Sequence, residues 1–302
     1  MPPTLSNPQV RFAVHPHAPA ATRIFDAPVL LRCWHLTSLD APTVAVVWSL
    51  AFAWAAPVVL PPWIPILLAL AAWAVYVADR LLDARTAFRT ANFASMRERH
   101  RFHHRHRRFL APLALAAAAA CASIVFFLMP APARERNSVL GVAALAYFTG
   151  VHSSRRLAAF GLSNRLPILR KELLVGLLFT AACVLPALSR TAGAKLLALP
   201  AAAVFFAMLA WLNCHAIDRW EKLEPVQRTS ISSNAGLLAI AGVVLAAIVA
   251  PVQPRAAALL LTAAGSSLLL ALLDRVRAHL TPLALRALAD LVLLTPLALL
   301  LR

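Results

Sequence analysis

Two aspartates one helical turn apart, Asp79 and Asp83 in the string YVADRLLD, are the first residues of this chain whose type and spacing suit chemistry. A four-residue interval on a helix puts both carboxylates on one face, where they repel each other. They also stand where an apolar run ends, and there the helix macrodipole disfavours negative charge by roughly 0.3 to 1 kcal/mol each. A bound cation offsets both penalties. Taken alone, the pair reads as ordinary interfacial ion pairing with Arg80, Arg85 or another nearby arginine. A second segment shifts that balance: LNCHAIDRWEKLE repeats an apolar-Asp-Arg step at Asp218 and Arg219, with Glu221 and Glu224 following. Such recurrence suggests an internal duplication whose halves face one cavity. A third pair, Asp274 and Arg275, has no second carboxylate after it and reads as structural.

Carboxylates on two facing helices suit Mg²⁺, which takes few protein oxygens and completes its shell with water and substrate phosphate. The expected metal ligands are Asp79, Asp83, Asp218 and Glu221, with the three aspartates as the catalytic set. Arg80, Arg85, Arg170, Lys171 and Arg219 suit the remaining charge of a diphosphate, although any one of them also reads as a membrane-boundary anchor. Tyr76, Asn213 and Glu172 are expected beside the cavity. Asp290, four residues after Arg286, is expected to pair with it.

The elements that must carry these groups are membrane helices. Hydrophobic residues make up 61% of 302 positions and charged ones 14%, more apolar surface than a soluble core can bury. The formal charge of +17 does not point to nucleic acid, because the basic residues punctuate apolar runs instead of clustering on a soluble domain. Four scattered cysteines, with no paired spacing, imply neither a disulfide framework nor a zinc site.

Nine apolar runs approach the length a bilayer requires: 43–60, 62–78, 110–129, 138–151, 169–188, 194–212, 235–250, 256–273 and 283–301. The fourth is the least apolar. Counting Lys and Arg on alternate sides gives 23 on the side of the N-terminus and 6 on the other. The positive-inside rule then predicts nine spans, the N-terminus in the cytoplasm and the C-terminus opposite. The expected fold is all-α: a cytoplasmic tail over 1–38 and one nine-helix domain over 39–302 around a central cavity. The loops at 80–109 and 213–234, after the second and sixth helices, form a cytoplasmic cap.

The first of those loops reads RERHRFHHRHRRF, and its His100, His103 and His104 fit the HxxHH box of membrane di-iron oxygenases. Those enzymes need several boxes, and the other histidines outside this loop are singletons. The loop reads better as an amphipathic segment attracting lipid headgroups or a substrate diphosphate.

SLDAPTVAVVWSLAFAWA, YVADRLLDAR, RKELLVGLLFTAACVLP and AIDRWEKLE, in this order along nine helices, resemble the UbiA superfamily of intramembrane prenyltransferases. The resemblance covers roughly Leu39 to the C-terminus. It implies a Mg²⁺-dependent enzyme of a membrane, such as a bacterial inner membrane, that ionises a polyprenyl diphosphate and passes the prenyl group to an unknown acceptor. Asp79 and Asp83 match the last two acids of the motif NDxxDxxxD, while Val75 and Tyr76 stand at its leading Asn and Asp; Asp218 matches the first acid of the second motif, with Lys222 four residues later. The same fold also hosts terpene cyclases, and a non-catalytic polyprenyl-lipid binder is the alternative from another class. No protein partner is implied.

Overall fold

The computed structural model describes residues 25–90, 96–159, 168–191, 198–222 and 230–301. Most of the N-terminal tail and residues 223–229 of the second expected cap loop lie outside them, as do the side chains of Arg170 and Lys171. The described residues are helical throughout: α1 (Val29–Leu36), α2 (Asp40–Ala55), α3 (Trp63–Thr90), α4 (Glu98–Arg105), α5 (Arg107–Phe127), α6 (Ala131–Ala159), α7 (Ile168–Leu188), α8 (Ala198–Lys222), α9 (Ile231–Val249), α10 (Pro254–Val276), α11 (Pro282–Leu291) and α12 (Leu297–Leu300).

Among the described residues the nine apolar runs fall largely on helices, the ninth divided over α11, a 3₁₀ turn and α12. Among the described residues six helices are long and apolar enough to cross a membrane, and α1 with α2, meeting at 88°, makes a seventh if the bent pair is one span. In α7 the apolar part, Glu172–Leu188, is shorter. The sixth helix carries Arg134, Glu135 and Arg136 in its first turns and falls outside that set. Large apolar side chains cover the outside: on α9, Leu237, Ile240, Val244 and Ile248 recur at three- and four-residue intervals and are all more than half exposed. Such a stripe belongs against hydrocarbon. The chain is an integral membrane protein.

The core lies where α2, α7, α8 and α10 meet. Trp48 stacks on Phe206 with ring centroids 3.8 Å apart, and its indole N–H donates to the carbonyl of Leu293 at 2.8 Å. That carbonyl belongs to a 3₁₀ turn, Val292–Leu294, between α11 and α12. Asp274 is buried on α10, accepting from the Trp220 indole at 2.7 Å and the Ser232 amide at 3.0 Å, so it ties α8 and α9 to α10. The geometry agrees with its structural reading.

Close helix approach rests on small residues. A methyl group added at Gly176 of α7 would meet the backbone of α8, at 3.0 Å from the Trp211 nitrogen and 3.2 Å from the Ala207 oxygen. Backbone atoms of a packed helix do not give way as a side-chain tip does. Gly176→Ala is expected to force α7 off α8 and to destabilise the protein by about 1 to 3 kcal/mol, the usual range for overpacking, read as a lowered melting temperature in detergent.

Candidate functional site

The functional residues gather around the break between α1 and α2. Three residues, Thr37 to Leu39, separate the helices, and Ser38 takes a left-handed φ of 62° while fully buried. A non-glycine residue holds that conformation only where its surroundings over-determine it. Here they do. The Trp73 indole donates to the Thr37 carbonyl at 3.0 Å, the Trp34 indole to the Thr43 hydroxyl at 3.1 Å, and the Ser38 hydroxyl pairs with His103 Nε2 at 3.2 Å.

Arg80 supplies the strongest tie. From α3 its guanidinium donates to the His35 carbonyl at 2.5 Å and to Asp40 Oδ2 at 2.6 Å. One side chain therefore satisfies a carbonyl at the end of α1 and neutralises the acid that opens α2, whose other oxygen accepts from the Ala41 amide at 3.0 Å. Arg80 and Asp40 are both buried, and the guanidinium lies 5.7 Å from the Tyr76 ring centroid. Arg80, expected to meet a diphosphate, is thus a structural clamp whose donors face inward.

A second carboxylate approaches from α11. Asp290 Oδ2 lies 3.9 Å from His35 Nδ1, which is 2.8 Å from Asp40 Oδ2, and Asp290 Oδ1 accepts from the Asn213 amide at 3.3 Å. The expected Asp290–Arg286 pair is replaced by this contact, because Arg286 turns to Glu221. His35 Nδ1 and Asn213 Oδ1 are buried without an aligned hydrogen-bond partner. Leaving such an atom unsatisfied costs about 1 to 3 kcal/mol.

Beside this cluster Glu221 is surrounded by arginines: Arg97 and Arg286 bond it, and Arg99 stands 3.7 Å away. These cations come from α11 and from α4 with the residue before it. Burial, then the neighbouring charge of Arg286, pull the Arg99 guanidinium down to about 9, against the attraction of Glu221. Positive charge is concentrated here beyond what one carboxylate neutralises.

The fourth helix carries the histidine-rich string, and it is inserted into the fold. His103 is fully buried, with Nδ1 donating to the Arg99 carbonyl at 2.8 Å and Nε2 left to accept from Ser38. His104 stacks on Phe88, and His100 Nε2 accepts from Arg99 Nε at 3.2 Å. Among the described residues these imidazoles form no metal-ligand group, so the di-iron match has no geometric counterpart.

The expected acids divide. On α3, Tyr76, Asp79, Arg80 and Asp83 occupy one stripe about 100° wide, leading from the buried clamp to the helix end. Asp79 and Asp83 are half-buried, and Asp83 is close enough to His100 to bias its charge. On α8, Asp218 pairs with Lys222 at 2.6 Å. Glu172, buried at the start of the apolar part of α7, meets His215 Nδ1 at 2.9 Å. Arg85 and Arg219 are exposed. Among the described residues the one grouping with three ligand atoms inside 4.8 Å of one another is His35, Asp40 and Asp290, so the four predicted metal ligands do not converge as a set. Two open apolar grooves were also found, of about 600 Å³ between α9 and α10 and about 470 Å³ between α2, α3 and α5; the second ends at Leu39 and Trp73 beside the break.

Asp40 stood in the sequence only within the string SLDAPTVAVVWSLAFAWA, and Asp290 only as an expected partner of Arg286. His35, Arg99 and Arg286 carried no such signal, since their partners lie 5, 122 and 65 positions away. Comparisons with protein-family models, with characterised proteins and with solved structures find no match to this chain.

Two measurements check this geometry. Breaking a buried ion pair from one side costs about 3 to 5 kcal/mol, whereas replacing both partners with apolar groups is often near neutral. Arg80→Met and Asp40→Leu should each lower the melting temperature sharply, and the double variant should recover much of the loss. Burial, chiefly, holds His103 and His100 at about 4, below the ordinary 6.5. Between those values the unfolded chain binds protons that the native one does not, so stability rises with pH across the window and falls on acidification. Melting temperature should drop from pH 6.5 towards pH 4, with a shallower slope in His103→Gln.

Proposed function

We propose that the chain is a UbiA-like intramembrane enzyme that binds an isoprenoid diphosphate where α3, α8 and α11 meet α4, and transfers its prenyl group to an acceptor. In this reading all nine apolar helices span a membrane such as a bacterial inner membrane, with the N-terminus cytoplasmic and the C-terminus opposite, and the loops after the second and sixth spans form a cytoplasmic cap. The observation that carries the proposal is the convergence of Arg97, Arg99 and Arg286 on Glu221 beside the α3 acid stripe. A cluster of guanidinium groups, from half-exposed Arg97 to the more buried Arg99 and Arg286, suits a diphosphate by charge and by fork geometry. The groove between α2, α3 and α5, ending at Leu39 and Trp73, suits the hydrocarbon chain.

The residues fit Mg²⁺ in part. Asp79 and Asp83, two hard oxygen donors one turn apart, suit an ion that binds one or two carboxylates together with substrate phosphate. Asp218, paired with Lys222, and Glu221, wrapped in arginines, do not fit as further ligands. Bound at Asp79 and Asp83, the ion would supply neutralisation of the diphosphate. Arg97, Arg99 and Arg286 would take up the charge that grows on the leaving oxygen as the bond to the prenyl C1 breaks, with Glu221 yielding its place to the diphosphate. The basic partners on both α8 acids equally favour a second reading, a protein that binds the lipid diphosphate without cleaving it.

Purified protein incubated with radiolabelled geranyl, farnesyl and geranylgeranyl diphosphates, with Mg²⁺ or with EDTA, separates these readings. The enzyme releases diphosphate only with Mg²⁺, loses release in Asp79→Ala, and slows on the order of 10²-fold in Arg99→Gln. Saturable binding without release selects the binding protein. Neither binding nor release with any of the three overturns the proposal.

A further inference from the structure

We infer that His35, Asp40, Asp290 and Asn213 form a binding site for a first-row divalent transition metal, separate from the diphosphate site. Four elements bring the ligands together: His35 ends α1, Asp40 opens α2, Asn213 lies in α8 and Asp290 in α11. The ligand atoms of His35, Asp40 and Asp290 all lie within 4.8 Å of one another.

A second observation points to a ligand. Asn213 is 3% exposed, its amide is aimed at Asp290 with Nδ2 donating, and its Oδ1 has no partner. His35, 1% exposed, holds Nδ1 between the two carboxylates, 2.8 Å from one and 3.9 Å from the other, with no aligned hydrogen bond. A buried imidazole nitrogen held between two carboxylates, beside a buried amide whose oxygen has no partner, is what a cation would satisfy, taking the imidazole as neutral with Nδ1 unprotonated.

Charge and chemistry narrow the ligand. The groups facing the cluster are Arg80 from α3, which bonds Asp40, and Arg286 from α11, which is spent on Glu221. Asp40 and Asp290 against Arg80 leave one net negative charge, which a cation offsets. One imidazole nitrogen with carboxylate and amide oxygens suits Zn²⁺, Mn²⁺ or Fe²⁺ better than Mg²⁺ or Ca²⁺, whose shells are all oxygen. Arg80 then acts as the outer partner that orients a ligating carboxylate. The metal would lock the strained α1–α2 break to α8 and α11.

The test uses full-length protein in detergent, freed of metal by a chelator and titrated with Co²⁺, whose visible d–d bands report ligation. The site predicts one equivalent of Co²⁺, displaced by Zn²⁺ but not by Mg²⁺ at the same concentration, and a raised melting temperature. His35→Gln should abolish the bands, and Asn213→Ala should weaken binding about 10-fold or more. Asp83→Ala should leave the bands in place, so a failed diphosphate assay and a failed metal titration remain distinguishable. Absence of stoichiometric bands in the unaltered protein overturns the inference whatever the variants do. So do bands that persist in His35→Gln and Asp290→Asn, or that vanish in Asp83→Ala.

Discussion

Arg80 holds together two helix ends that would otherwise part. Its guanidinium satisfies a carbonyl near the end of α1 at His35 and the first acid of α2 at Asp40, and so fixes an 88° turn whose middle residue, Ser38, is buried. The turn contains neither glycine nor proline, and Ser38 sits in a left-handed conformation that it would not adopt unaided. The polar groups around the break are arranged from this point: Asp40 is neutralised, His35 lies between Asp40 and Asp290, and Ser38 is presented to His103. A charge of this kind, desolvated and doubly bonded, is tolerated in an apolar bundle only because both partners are present.

From that clamp the polar interior continues outwards. The α3 stripe leads from Tyr76 and Arg80 to Asp79 and Asp83, while α11 carries Asp290 at one level and Arg286 one turn away, where Glu221 meets the arginines beside α4. The fourth helix is the element that joins the two halves. It reaches the break through His103, the N-terminal helix through an Arg32–Glu98 pair, and the end of α8 through Arg97 and Arg99. A surplus of guanidinium groups stands at this junction, near the α3 acids, and the proposed function rests on it.

The sequence revealed the helices well because hydropathy acts over whole runs: the described parts of the nine stretches lie largely on helices, and the weak fourth one falls on the helix whose first turns carry three charges. The α3 acids were legible because a four-residue spacing is a local property. The rest was not, for equally physical reasons. Arg80 looked like one more boundary arginine until its partners, 40 and 45 positions earlier, were placed. Nothing local separates Glu221 as a metal ligand from Glu221 as a guanidinium partner. The α1–α2 break was hidden because its residues, Thr37, Ser38 and Leu39, lack the glycine or proline that usually marks one. The histidine-rich string advertised metal chemistry, whereas its most buried imidazole is a hydrogen-bonded strut.

In the proposed function the junction of α3, α8 and α11 with α4 receives a prenyl diphosphate. A structure of the protein with a non-hydrolysable farnesyl diphosphate analogue tests this most directly. The diphosphate is expected among Arg97, Arg99 and Arg286, with Glu221 displaced and the hydrocarbon running towards Leu39 and Trp73. Diphosphate bound away from these arginines, with the Glu221 contacts intact, would contradict it.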